Sequence, residues 1–217
     1  MSLSFPTNRP LIYLITRGNL TDQNFERESL KTLEIIRSAV MNGISLVQIR
    51  EKRLGVKLVF ELVEKAVEIA RNTPTCIFMN ERVDIALAAE ASGVHLTSRA
   101  LPTKDVRRIA ARDFLIGVST HVLEEAKYAR EAGADFVTFS PIFATASKQS
   151  YGEPQGLGKL SKVCRHLDPF PVLALGGINE TNYRSVLANG ARGFAGITFL
   201  NDRDNLKRLA ELEKKVV

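Results

Sequence analysis

The sequence predicts a (β/α)8 barrel formed by one domain over residues 1–217. Two observations predict this fold. Short β-rich segments alternate with helix-periodic segments eight times, at spacings of about 20 to 35 residues. Most of the β-rich segments are nearly continuous apolar runs, which is typical of parallel strands covered on both faces. A doubly wound open sheet is the competing architecture, but it usually carries a glycine-rich fingerprint after its first strand, where this chain has Thr16-Arg17-Gly18.

The predicted strands are short, and nothing between them has the composition of an interdomain linker. They are Leu11–Thr16, Leu46–Arg50, Cys76–Asn80, Gly93–Leu96, Leu115–Thr120, Phe136–Ser140, Val172–Gly176 and Phe194–Thr198.

Helical periodicity fills the segments between these strands. It is clearest in Glu28–Met41, Val56–Arg71 and Val122–Ala132. Three helix-to-strand turns contain a glycine, which fits the left-handed residue that ends many helices. These turns are Asn42-Gly43, Ala132-Gly133-Ala134 and Asn189-Gly190-Ala191.

Composition and charge restrict the function. A chain of 217 residues with 45% apolar content can bury one large core. We expect a cytoplasmic protein with no membrane role, because the chain shows neither a long apolar run nor a signal-peptide pattern. The net charge of +6 comes from basic residues scattered among acidic ones, so we expect a small anionic ligand and not a nucleic acid. Cys76 and Cys164 lack the spacing of metal-binding or redox-active cysteines. A homo-oligomer is one possible assembly.

The second strand ends in residues suited to an anion. In such barrels the active site is built where the strands end. Gln48, Arg50 and Lys52 alternate along an extended segment, so their side chains project to one side. Arginine offers a planar fork and lysine a mobile point charge to phosphate oxygens. The alternative is a solvated strand end with Glu51 as the partner of these cations, and the residues alone leave both interpretations open.

The seventh strand ends in a glycine pair, Gly176-Gly177, just before a helix. Backbone N–H groups at such a turn favour phosphate binding, and barrels often hold phosphate after strands seven and eight. The alternative is an ordinary left-handed turn.

Strands five and six lead into polar segments. Strand six continues through Ser140 to Lys148, and the polar stretch Gln149–Gly158 follows it. A long segment of this kind indicates an active-site lid, in which Thr145, Ser147 and Lys148 would grip an anion.

Strand five ends in Ser119-Thr120-His121, which places a histidine able to exchange a proton near neutral pH at a strand end. The other two histidines, His95 within strand four and His166 after a helix, are interpreted as structural.

The chain resembles the thiamin phosphate synthase superfamily, which includes thiazole tautomerases of the TenI type. The resemblance runs nearly end to end and depends on several motifs together. They are Leu11-Ile-Tyr-Leu-Ile-Thr16, Val47-Gln-Ile-Arg-Glu-Lys52, Asn80-Glu-Arg-Val-Asp-Ile-Ala-Leu87, Gly93-Val-His-Leu96, Gly117-Val-Ser-Thr-His121, Pro141-Ile-Phe143 through Lys148, and Leu175-Gly-Gly-Ile178.

The resemblance implies a barrel that joins or matures the thiazole half of thiamin. Synthases of this family couple a pyrimidine pyrophosphate to a thiazole phosphate and release pyrophosphate, with Mg2+ as an electrostatic partner. By position, Gly177 and the backbone around Ile197 and Thr198 would hold the thiazole phosphate. The pyrophosphate side would be formed by Gln48, Arg50, Lys52 and Asn80, with Ser119, Thr145, Ser147 and Lys148 nearby.

The chain departs from the synthase pattern at the two positions that hold magnesium in the family. Glu81 replaces one aspartate, and Ala100 replaces the other and has no oxygen to offer. The first-strand segment also departs, since Arg17 stands where aspartate commonly follows the threonine. The tautomerase branch similarly lacks the metal pair and needs only thiazole binding and a proton shuttle.

These departures favour a TenI-type tautomerase, with His121 moving the proton and no cofactor. The candidate catalytic residues are His121, Ser119 and Lys148. A Mg2+-dependent synthase is the alternative, and a non-catalytic thiazole-phosphate sensor is a second one. His121 does not separate the two enzymes, because the Ser-Thr-His segment also occurs among synthases.

Overall fold

The structure is a computed structural model and describes residues 9–144 and 153–214. Eight strands form a closed parallel barrel in which neighbours follow the chain order, and each strand is followed by a helix. The predicted fold class is therefore confirmed. The strands are β1 (Leu11–Ile15), β2 (Leu46–Ile49), β3 (Cys76–Asn80), β4 (Gly93–Leu96), β5 (Leu115–Thr120), β6 (Phe136–Phe139), β7 (Val172–Leu175) and β8 (Gly193–Gly196). The helices are α1 (Phe25–Met41), α2 (Val56–Ala70), α3 (Val83–Ala88), α4 (Thr103–Ile109), α5 (Leu123–Glu131), α6 (Gly156–Leu167), α7 (Tyr183–Ala188) and α8 (Arg203–Lys214).

The last strand differs most from its predicted bounds. It begins at Gly193 and ends at Gly196, so the predicted strand residues Ile197 and Thr198 lie in the turn that follows. A Cβ on Gly193 would stand 1.9 Å from the Leu11 carbonyl oxygen. Glycine therefore lets β8 start against the backbone of β1, although glycine inside an apolar run looks like a strand breaker in sequence.

The chain divides into two compact units, which we call the β2–β3 unit (residues 13–94 and 197–214) and the β5–β8 unit (residues 9–12, 95–144 and 153–196). In the β2–β3 unit, helix α1 packs against α2 and α8. Buried residues of α2 recur at helical spacing and form the face that covers the strands. They are Val59, Leu62, Val63, Ala66 and Ala70.

The β5–β8 unit is built on four strands that pair in parallel in chain order. Its core contains three aromatic side chains, Phe136, Phe139 and Phe194, which are all 1% exposed or less. The ring of Phe194 lies 5.4 Å from the ring of Tyr183 in α7, which fixes that short helix against β8.

The glycines of the three predicted helix-to-strand turns have positive φ angles, as expected for residues that end helices. The φ angles are +70° at Gly43, +93° at Gly133 and +91° at Gly190, so this prediction is confirmed. None of the described helices is both long enough and apolar enough to cross a lipid bilayer.

Candidate functional site

The three polar residues that end β2 differ in exposure. Gln48 is 1% exposed, Arg50 is half-buried, and the Lys52 side chain is 48% exposed. The Gln48 amide Nε2 donates a 3.1 Å hydrogen bond to the Tyr13 hydroxyl. Burial raises the pKa of that phenol well above its usual value, against the opposing effect of the Gln48 bond, so Tyr13 stays neutral. Exposure to solvent therefore increases along this strand end, from the buried Gln48 amide to Arg50 and then to Lys52.

Glu51 is not the exposed partner that the solvated-strand interpretation requires. Its carboxylate is 3% exposed and accepts hydrogen bonds from the backbone N–H groups of Gly18 (3.0 Å) and Leu20 (2.9 Å). That interpretation is therefore wrong for Glu51, because a buried carboxylate that binds two N–H groups is anchoring a loop.

The loop after β1 lies directly against Arg50. Gly18 has a φ of +75°, and a Cβ there would meet the Arg50 Nη1 and carbonyl oxygen at 3.1 Å. The Arg50 N–H donates to the Thr16 hydroxyl oxygen at 2.8 Å. Through these contacts Glu51, Gly18 and Thr16 limit the positions that Arg50 can take.

Asn80 ends β3, and Glu81 follows it and faces Lys52. The Asn80 Nδ2 donates to Glu81 Oε2 at 3.1 Å, and the Lys52 ammonium lies 3.7 Å from the same oxygen. Glu81 adopts a left-handed backbone, with a φ of +62°, which is uncommon for a residue other than glycine. The carboxylate of Glu81 thus already has an amide donor and a cation beside it.

The residues present do not fit the two-carboxylate magnesium site that the resemblance implies. Glu81 supplies one carboxylate, and Ala100, in the turn after β4, supplies only a methyl group. Among the described residues, no group of three or more His, Cys, Asp or Glu side chains is arranged to hold a metal ion. We therefore derive no chemical step through magnesium.

A histidine and a serine meet at the end of β5. The His95 Nε2 lies 2.9 Å from the Ser119 Oγ, and His95 is 3% exposed. Sequence reasoning treats His95 as structural, and its contact with a candidate catalytic residue is new information from the fold.

His121 follows β5, and its ring is oriented by the backbone of the next strand end. The His121 Nδ1 lies 2.8 Å from the Ser140 carbonyl oxygen. Because a carbonyl oxygen only accepts, Nδ1 carries the proton, and in the neutral ring Nε2 keeps the lone pair. The His121 N–H donates to the Glu125 carboxylate at 2.6 Å. The ring is thus arranged to accept a proton at Nε2.

The glycine pair after β7 is packed against the segment after β6. Gly176 and Gly177 have φ angles of +105° and +66°. A Cβ on Gly177 would lie 2.6 Å from the Ala144 carbonyl oxygen. The Phe143 N–H donates to the Gly176 carbonyl at 3.0 Å. Close packing explains the two glycines without a ligand, so phosphate binding at this turn stays a prediction.

The segment after β6 is only partly described. Thr145, Ser147 and Lys148 lie outside the described residues. Helix α6 begins at Gly156, so the predicted lid Gln149–Gly158 is wrong at its end, where its last three residues are helical. The N–H groups of Gln155 and Gly156 donate to the carbonyls that follow β6, at 2.7 and 3.1 Å.

The turn after β8 is held by Asn201, to which the sequence interpretation assigns no role. Asn201 is 6% exposed, and its Nδ2 donates to the carbonyls of Ile15 (2.7 Å) and Ile197 (2.6 Å). Thr198 is exposed in the same turn. His166 lies in the last turn of α6 and not after it, with Nδ1 2.7 Å from the Lys162 carbonyl.

The fold and these strand ends define a (β/α)8-barrel protein with polar groups after most of its strands. A family model described as thiamine monophosphate synthase matches residues 12–200. The chain belongs to the thiamine monophosphate synthase family.

Individual relatives agree with this membership. The chain is 40% identical over 189 residues to a putative thiamine-phosphate synthase 2 of Aquifex aeolicus, covering 87% of this chain and 96% of that one. It is 37% identical over 201 residues to thiamine-phosphate synthase of Methanosarcina barkeri, covering 92% and 86%. A thiamine phosphate pyrophosphorylase structure from Pyrococcus furiosus superposes with a TM-score of 0.80 at 30% identity, covering 97% and 98%. These names favour the synthase alternative over the tautomerase expectation.

Proposed function

We propose that the chain is a thiamine-phosphate synthase, which joins a pyrimidine pyrophosphate to a thiazole phosphate and releases pyrophosphate. The observation that carries the proposal is the end of β2, where Arg50 and Lys52 follow a fixed Gln48 amide. Family membership over residues 12–200 and the names of the relatives support it. The net charge of +6 supports small anionic, phosphorylated ligands. We further infer that the enzyme is cytoplasmic.

The cations of β2 would carry the charge of the pyrophosphate. Bond cleavage leaves negative charge on the departing pyrophosphate, and donors positioned beforehand stabilise that charge in the transition state. Arg50 would bind it through two nitrogens, and Lys52, which is exposed, would approach as a mobile ammonium. Gln48 and Asn80 would offer amide groups at the same strand ends.

The remaining predicted residues keep the roles that the sequence analysis gives them. The thiazole phosphate is assigned to Gly176 and Gly177, and separately to the backbone of Ile197 and Thr198. The catalytic set is His121, Ser119 and Lys148, with Thr145 and Ser147 as further ligand contacts.

The synthase proposal is tested by supplying both substrates and measuring thiamin phosphate and released pyrophosphate together. We expect both products in equal amounts, and neither when the thiazole phosphate is omitted. The assay is run with Mg2+ and with EDTA, so that activity without metal is also detected. Absence of both products at high enzyme concentration, both with Mg2+ and with EDTA, would overturn the proposal.

A tautomerase is the second candidate, favoured by Ala100 at the metal position and compatible with the His121 geometry. A ring whose Nδ1–H is held by the Ser140 carbonyl keeps Nε2 as a proton acceptor, which a thiazole tautomerisation requires. It predicts conversion of the non-aromatic thiazole carboxylate phosphate in EDTA, lost in His121→Ala. A His121→Ala protein that tautomerises at the wild-type rate would exclude this role. Binding of thiazole phosphate without either reaction would instead identify a non-catalytic sensor.

A further inference from the structure

The pair formed by His95 and Ser119 lies in a tightly built part of the β5–β8 unit. The His95 ring is 5.9 Å from the Phe136 ring, centroid to centroid. Gly117 stands opposite Phe136 in the β5–β6 register. A Cβ on Gly117 would lie 2.4 Å from the Phe136 ring and 2.7 Å from the His95 Nδ1. Glycine at this position therefore makes the room that the imidazole occupies.

The two ends of the pair differ in exposure. His95 is 3% exposed, whereas Ser119 is half-buried. Gly117 and Ser119 alternate along β5, so they face the same side of the strand. A ring clamped beside Gly117 thus presents its Nε2 to the hydroxyl of a residue that still reaches solvent. The separation of 2.9 Å is that of a hydrogen bond.

A serine hydroxyl has one proton and two lone pairs, and it rotates unless a partner holds it. A bond to a fixed imidazole nitrogen commits either the proton or a lone pair of Ser119 to His95. The hydroxyl then presents one defined group to a substrate. Since catalysis depends on groups oriented before the reaction, this restriction lowers the cost of reaching the transition state.

We propose that His95 is a positioning residue that fixes the Ser119 hydroxyl for catalysis. The inference rests on the proposed synthase function and on Ser119 contacting substrate in it. It assigns His95 no contact with substrate, so every effect of His95 on the reaction passes through Ser119.

The test is a double-mutant cycle with His95→Leu and Ser119→Ala. We expect His95→Leu to lower kcat about tenfold, as expected for one oriented hydrogen bond, with KM nearly unchanged. His95→Gln restores most of the loss, because the Gln amide reaches about as far as the ring Nε2. The double variant is no slower than Ser119→Ala, because residues that act as a unit are not additive.

His166→Gln is the matched control, since His166 is exposed on α6 and has no role in the site. Thermal midpoints of all variants separate loss of folding from loss of activity. If His95→Leu is unstable, the kcat of His95→Gln is compared with that of the wild-type protein instead. Wild-type kcat in His95→Leu, or losses that multiply in the double variant, would overturn the inference.

Nitrogen-15 NMR of the histidine rings tests the pair without substrate. The Nε2 signal of His95, assigned with His121→Gln and His166→Gln proteins, is expected to shift in Ser119→Ala. Unchanged His95 signals would overturn the inference even in an active enzyme. A wild-type protein that makes no thiamin phosphate but shows this shift would overturn the synthase proposal and leave the histidine–serine bond standing.

Discussion

The β2–β3 unit and the β5–β8 unit carry different kinds of residues in and directly after their strands. The first ends in charged side chains, Arg50, Lys52 and Glu81, which approach solvent. The second is marked by glycines where a Cβ would stand within 2.8 Å of a neighbouring atom, at Gly117, Gly176 and Gly177. Removing a cation from the first unit should therefore weaken anion binding at constant stability, whereas adding a methyl group to the second should lower stability.

The largest expected effect is that of Arg50→Gln on the β2 strand end. We expect kcat/KM for the pyrimidine pyrophosphate to fall about 100-fold, because charge-assisted hydrogen bonds to phosphate contribute about 1.5–3 kcal/mol each. The thermal midpoint should stay within about 2 °C of the wild-type value, since Arg50 is only half-buried and follows the end of β2. Steady-state kinetics and a thermal melt measure the two quantities.

Arg71→Gln is the control for Arg50→Gln. Arg71 is exposed directly after α2 and pairs with Glu68. Its replacement removes one positive charge, as Arg50→Gln does, but at a position outside the β2 strand end. An equal fall in kcat/KM in both variants would mean that net charge, and not the strand end, attracts the substrate.

The second prediction concerns Gly177→Ala in the β5–β8 unit. The new Cβ would stand 2.6 Å from the Ala144 carbonyl and 2.7 Å from the Phe143 Cβ, at a φ of +66°. Overpacking with strain costs about 1–3 kcal/mol, which lowers the thermal midpoint by about 5 °C in a chain of this size. Gly158→Ala in α6 is the matched control, because nothing lies within 4 Å of its Cβ. Equal stability of the two variants would contradict the comparison between the units.

The third prediction tests whether the loop after β1 positions Arg50. Glu51→Gln keeps the shape of the side chain but replaces one acceptor oxygen with a donor that faces a backbone N–H. We expect kcat/KM to fall about tenfold, the value of one charge-assisted hydrogen bond. Glu61→Gln, which breaks only a surface pair with Lys65, should leave the rate unchanged. A Glu51→Gln enzyme with wild-type kinetics and a lower thermal midpoint would show that Glu51 supports only the fold.

Sequence reasoning predicted the strands and turn glycines because these depend on local apolar runs and backbone freedom. It also grouped Gln48, Arg50 and Lys52, since alternation along one strand is visible in sequence. It missed the anchoring role of Glu51 and the pairing of His95 with Ser119, because both depend on which residues of distant segments meet in the fold. His95 carries a usable signal, as a polar residue within the apolar strand Gly93–Leu96 requires a hydrogen-bond partner.

The smallest predicted effect, at Glu81, tests how the β2–β3 unit handles charge. The Glu81 carboxylate lies 3.7 Å from the Lys52 ammonium and accepts from Asn80, so it competes with an anion for the same cation. In EDTA, Glu81→Gln should therefore bind pyrophosphate about threefold tighter, the scale of one partly exposed charge interaction. Isothermal titration calorimetry measures this, with Glu68→Gln on the outer face of α2 as the charge-matched control.

Adding Mg2+ to the same titration separates two roles for this carboxylate. If Glu81 only competes for Lys52, the variant stays the tighter binder with and without the metal. If Glu81 alone sustains a magnesium site despite Ala100, the order reverses when Mg2+ is present, because the metal loses its one carboxylate ligand. Weaker binding by Glu81→Gln in EDTA would contradict the competition itself. It would mean that the Glu81 carboxylate positions Asn80 and Lys52 to bind the anion, and so contributes to pyrophosphate binding despite its negative charge.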